Sequence, residues 1–186
     1  MMSDAKEIPP NEPLAEGHVV FQGMVRPTKG GFEIRGVIVD DDMLPKALAH
    51  VPEARLGERD WFLGAIVRIT GQLKKHEAKN VDENGVIMQM RAGTWFSLER
   101  LEDAQLMAPA EIVEGQLKRS KGFFSVGDKL ISQDDVAWSL GTQEDREGER
   151  VRLYGQSRTV YCEPNAQCLI QGSLPLFDVG RAERLP

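Results

Sequence analysis

The chain is poor in the side chains on which most catalytic and metal chemistry depends. Among its 186 residues there are two cysteines, Cys162 and Cys168, and three histidines, His18, His50 and His76. The cysteines are not in a CxxC arrangement and have no histidine nearby, so a zinc site would lack ligands and no metal is expected. They read as two ordinary thiols in a reducing compartment, with a local disulfide as the alternative. No apolar run reaches the roughly 18 residues of a membrane span, so no membrane partner is expected. Residues 1–16 are polar, acidic and proline-bearing, without the basic start, apolar stretch and cleavage site of a secretory signal. They are expected to be a flexible leader on a cytoplasmic protein. Positive charge is also short: 23 Lys and Arg stand against 29 Asp and Glu, for a net charge of −6.

Motifs for nucleophilic, metal and nucleotide chemistry are missing as well. There is no GxSxG, HExxH, phosphate-cradling glycine loop or dinucleotide fingerprint. The expectation is a protein that is not an enzyme and needs no cofactor. The run Asp40-Asp41-Asp42 lacks the alternating spacing and the glycine of a calcium loop, and reads as the acidic start of a helix.

What the sequence does contain is a repeat. Self-similarity is the first signal to seek, because it decides the whole architecture. Residues 23–43 align without a gap on 115–135 at an offset of 92, with Gly23, Lys29, Gly30, Phe32 and Asp42 recurring as Gly115, Lys121, Gly122, Phe124 and Asp134. A second block, GAIVRITGQ at 64–72, matches GERVRLYGQ at 148–156 at an offset of 84. A weaker third block pairs RAGTWFSL near Gly93 with IQGSLPLF near Gly172. The blocks keep their order in both halves.

Each copy reads as five strands and one short helix. First strands are expected over 18–26 and 112–118, rich in valine and phenylalanine or alternating in polarity. In copy two, 123–126 and 129–132 flank Gly127-Asp128, a pair suited to a primed two-residue turn, and Arg35-Gly36 holds the same place in copy one. Asp42 and Asp134 stand where helix N-caps are expected, and Gly141 is a helix stop. Fourth strands follow at 66–73 and 150–157, interrupted by Gly71 and Gly155 where a bulge or sharp bend is expected. Fifth strands are expected at 95–106 and 174–184.

The stretches VVFQGMVRPTKGGFEIRGVIVDDD with GAIVRITGQLKK, and EIVEGQLKRSKGFFSVGDKLIS with GERVRLYGQSR, resemble the oligonucleotide/oligosaccharide-binding (OB) barrel in this order of elements. The resemblance implies an all-β protein of two tandem five-stranded OB-like barrels, module 1 over 17–107 and module 2 over 110–186. A single sandwich of all ten strands is the structural alternative.

A barrel of this type implies a binding role, and the ligand class is open. OB barrels hold oligonucleotides on strands two and three and in the loops after strands one and four, through stacked aromatics and basic groups. The candidates are Arg26, Lys29, Phe32, Lys118, Arg119, Lys121 and Phe123 at the ends of the first strands, and Lys74 and Lys75, with His76 and Lys79, in the excursion after strand four of copy one. The repeated phenylalanines also suit a barrel core. Acidity weighs against phosphate binding, because residues 16–107 hold 12 Lys and Arg against 14 Asp and Glu, and residues 108–186 hold 10 against 12. Trp61, Trp95 and Trp138 are candidate anchors for a protein partner, or plugs for barrel ends. The first expectation is a protein partner, with the chain acting as an adaptor, assembly factor or inhibitor of a basic protein such as a nuclease toxin. The alternative is single-stranded DNA or RNA.

Overall fold

The computed structural model describes residues 4–56, 58, 60–78, 84, 93–141, 147–162 and 172–186. The chain is all-β with short helices. Two compact units divide it. Unit 1 comprises Met1–Gly23, Thr28–Glu58 and Val67–Leu106; unit 2 comprises Met24–Pro27, Arg59–Ile66 and Met107–Pro186.

The first sheet begins with β1 (Lys6–Glu7), β2 (Gly17–Thr28), β3 (Gly31–Ile34) and β4 (Val37–Asp40). Helix α1 (Met43–Ala47) and a 3-10 turn at Pro52–Leu56 follow, then β5 (Ile66–Ala78) and β6 (Gly93–Ala108). The order is β1-β2-β3-β4-β6-β5, and a further β2–β5 pairing closes five of these strands into a barrel. Closure gives each of these strands two faces, and the inward one is apolar. Val19, Phe21, Ile34, Val37, Val39, Val67, Ile69 and Leu98 are buried, with Leu44 of α1.

The second sheet contains β7 (Glu111–Gln116), β8 (Lys118–Ser120), β9 (Phe123–Val126), β10 (Lys129–Ser132), β11 (Arg150–Cys162) and β12 (Gly172–Arg184), with α2 (Gln133–Leu140) between β10 and β11. Its order is β7-β11-β12-β10-β9-β8. The two halves of the first strand, interrupted at buried Leu117, thus supply both ends of the order. The core is Leu117, Phe124, Val126, Ile131, Val136, Leu140, Val151, Leu153, Phe177 and Val179.

Equivalent residues make equivalent bonds in the two copies. Val25 N donates to Ala65 O and Gly64 N to Val25 O, and 92 and 84 residues on, Leu117 N donates to Glu149 O and Gly148 N to Leu117 O. A Cβ on Gly71 would lie 2.2 Å from Arg100 O, and one on Gly155 1.8 Å from Asp178 O. Both expected interruptions are therefore places where a neighbouring carbonyl fills the volume of a side chain, and in copy two the register shifts there, between Tyr154 and Gly155. The hairpin turns also correspond. Arg35 (φ 52°) and Gly36 (φ 82°) are both left-handed in copy one, whereas Gly127 (φ 59°) alone is in copy two.

Several expectations need correction. The segment read as a leader is built into unit 1: Lys6 and Glu7 pair in parallel with Val19 and Val20, and Ile8 is 3% exposed. Ile8, next to this strand, finds an open strand edge. The fourth strands are longer than expected, so Lys74, Lys75 and His76 lie on β5 and not in a loop. The N-cap of α2 is Ser132, not Asp134; the Ser132 hydroxyl accepts from Asp135 N at 3.1 Å. Asp42 does sit at the N-cap of α1, but its side chain makes no capping bond. Lys79, Cys168 and the rest of the excursion over 79–83 and 85–92 lie outside the described residues, as does the Cys162 side chain.

Candidate functional site

The turns that follow the first strands hold most of the expected cationic residues. Lys29 follows β2, Lys118 and Arg119 lie on β8, and Lys121 lies in the β8–β9 turn. Lys29, Lys118 and Lys121 are exposed and enter no ion pair among the described residues. The aromatics beside them are less available. Phe32 is 7% exposed and Phe124 8%, so both belong to the interiors of their units. The Arg119 guanidinium covers the Phe124 ring at 5.6 Å. Phe123 is half-buried and pairs with Ser120 and Ser132.

On β5, Lys74 and Lys75 are exposed, and the Lys75 ammonium lies 3.4 Å from Glu77. His76 stacks on Trp95 of β6 with centroids 5.2 Å apart, and its Nε2 lies 2.7 Å from Ser97 Oγ. Trp95 is thus occupied by a ring of its own barrel. In unit 2, Trp61 is half-buried and meets buried Phe62 edge-on at 5.7 Å.

Unit 2 brings Arg26 and Trp138 together around a residue that the sequence reading passed over. Asp135, 6% exposed, accepts hydrogen bonds from Trp138 Nε1 at 3.0 Å and Val179 N at 2.9 Å. Arg26 lies 3.6 Å from its carboxylate and 5.9 Å from the centre of the Trp138 ring. A buried carboxylate persists when its lone pairs are satisfied, and here they hold α2 to β12. The signal was present in the sequence as Ser132-x-x-Asp135, half of a helix-capping pattern. Trp138 nevertheless remains 41% exposed.

Strand register shows what the outer face of unit 2 presents. Lys118 pairs with Ser125, Ser125 with Leu130, Leu130 with Leu176 and Leu176 with Arg158. These five residues form one row across the sheet, apolar in the middle and basic at both ends. In unit 1 the corresponding row contains Glu33, Ile38 and Ser97, with His76 bonded to Ser97.

Most arginines of unit 2 among the described residues are already matched by carboxylates. Arg158 lies 2.7 Å from Asp178, Arg184 3.6 Å from Glu149, and Arg181 bonds Glu183. Arg152 bonds Glu114 and lies 3.5 Å from Glu183. The Glu114 hydrogen bond, with a smaller contribution from Tyr154, raises the Arg152 guanidinium pKa above its ordinary value. Large apolar and aromatic side chains are exposed beside these pairs: Met107 at 49%, Ile112 at 59%, Trp138 at 41% and Tyr161 at 78%. Among the described residues no three His, Cys, Asp or Glu side chains converge as a metal site, and no helix is long and apolar enough to cross a membrane.

Compared with protein-family models, curated proteins and solved structures, the chain matches none of them.

Proposed function

We propose that the chain is a non-enzymatic protein-binding module built from two OB-type barrels. The strand order of unit 1, with a helix between the third and fourth barrel strands, is the order of that fold. The observation that carries the binding reading is the contrast on the surface of unit 2. Its arginines are largely neutralised by carboxylates, while Ile112, Trp138, Met107 and Tyr161 face solvent. Charge already paired within the protein has little left to offer a phosphate backbone. Exposed aromatic and aliphatic side chains are the chemistry of an interface core.

Affinity capture from native lysate should retain one protein partner, and Trp138→Ala should release it while circular dichroism stays unchanged. Retention of nucleic acid alone would overturn the reading. Lys29 and Lys121, unpaired at equivalent turns of the two copies, favour single-stranded nucleic acid as the second reading. It requires an oligonucleotide to bind at low salt, more weakly as salt rises, and to be lost on Lys29→Glu with Lys121→Glu.

A further inference from the structure

The first strands of the two copies have the same free side, and among the described residues only one of them is covered. In both copies the β3–β4 or β9–β10 hairpin is four residues per strand, too short to flank the upstream half of the first strand. In unit 1 that gap is filled by β1. Ile8 N donates to Val20 O at 2.8 Å, Ile8 is buried, and Arg35 at the hairpin tip donates to the carbonyls of Ile8 and Glu12.

The positions equivalent to Val19 and Val20 are Glu111 and Ile112. Leu117 both donates to and accepts from the segment entering β11, so backbone alternation directs the N–H and C=O of Val113 and Gly115 toward β11 as well. The same alternation turns the N–H and C=O of Ile112 and Glu114 the other way. Val20 behaves identically in copy one, where its carbonyl faces β1. In copy two β7 ends the sheet order, no described strand pairs with that side, and Ile112 is 59% exposed. Arg35, the tether of copy one, has glycine as its counterpart, Gly127.

From this we infer that the β7 edge of unit 2 is a strand-addition site for an extended segment of a partner protein, bearing an aliphatic residue preceded by a basic one. The inference rests on the protein-binding reading above and gives it a place. Parallel addition is the mode that β1 displays. A second copy of this chain is a poor occupant for two reasons. Each chain has one leader segment and two such edges, so leader exchange always leaves an edge empty. Two β7 edges facing each other would gather the glutamates of both strands, Glu111 and Glu114, along one seam, like charge against like.

Charge selects the basic residue. In unit 1, Glu7 of β1 pairs with Arg68 at 3.0 Å. The equivalent arginine in unit 2, Arg152, is held by both Glu114 and Glu183. The acid that β1 supplies is therefore already present, and a second carboxylate there is repelled where a lysine or arginine is attracted.

The test uses the full chain and two synthetic hexapeptides, residues 5–10 (AKEIPP) and its Glu7→Lys form, titrated by amide NMR. The Glu7→Lys peptide should bind about tenfold more tightly and slow hydrogen exchange at the Ile112 and Glu114 amides, leaving Val113 unchanged. Ile112→Pro removes an N–H on the open side only and should abolish binding, since proline is tolerated on an edge whose N–H faces solvent. Should Ile112→Pro fail to fold, the exchange pattern of the wild-type chain decides alone. No binding, binding indifferent to Ile112→Pro, protection at Val19 and Val20 instead, or tighter binding of the native peptide would each overturn the proposal. If the peptides fail while a captured partner is still released by Trp138→Ala, the edge proposal falls and the protein-binding reading stands.

Discussion

Two first strands of related sequence, β2 in the first barrel and β7 with β8 in the second sheet, lead different lives. Both hydrogen-bond the segment entering the fourth strand through the same backbone atoms, at Val25 and at Leu117. β2 runs unbroken for 12 residues and receives β1 on its other side; its counterpart is split at Leu117 and receives nothing there among the described residues. The two halves thus share the ladder between first and fourth strands and differ at the outer edge. The helices differ in a parallel way. α2 is eight residues long, capped by Ser132 and anchored by Asp135, whereas α1 is five residues long with a cap residue that makes no side-chain bond. The ladder between the first and fourth strands is shared by the copies; the outer edge of the first strand and the anchoring of the helix distinguish them.

The sharpest way to break this comparison is at the shared glycines. Gly71→Ala and Gly155→Ala each place a Cβ against a strand carbonyl that cannot yield, and each should cost more than about 3 kcal/mol in chemical denaturation. Tolerance of one but not the other would show that the bends are not equivalent. Next is Asp135→Ala, which strands the buried Val179 N–H and the Trp138 indole N–H. A loss of about 2–4 kcal/mol is expected, and the Trp138 fluorescence should change with it. Ile8→Ala removes the buried aliphatic residue beside β1 and should cost about 2–4 kcal/mol. It should also speed hydrogen exchange at Val20 until that edge resembles Ile112; unchanged exchange would sink the contrast between covered and open edges. The smallest effect separates the caps. Ser132→Ala should cost about 1 kcal/mol and Asp42→Ala less than about 0.5 kcal/mol, read from denaturation midpoints.

Much of the fold was legible because short-range rules govern it. The hairpin of copy two falls on the expected residues, 123–126 and 129–132, since a glycine with positive φ is a local requirement. Gly141 ends α2 as expected for the same reason. The strand ends at β5 and β11 were harder to read, because pairing with β6 and β12 extends them past Leu73 and Ser157. The site was less legible than the fold. Phe32 suited both a stacking platform and a barrel core by its type, and the barrel interior took it. Asp135 looked like one more acid at a helix start until Val179 and Trp138 were brought to it from 44 and 3 residues away.

The sequence by itself determined the duplication, the order of strands around one short helix per copy, the turns and the bends, since each depends on a repeated pattern or on what one glycine allows. Only the tertiary structure decided which cations keep their charge for a partner, because a carboxylate neutralises an arginine by proximity in space and not in sequence. The same holds for the leader. Lys6 and Glu7 have no strand signature, and they become a strand because the short hairpin of unit 1 leaves backbone groups at Val20 that an extended chain can satisfy.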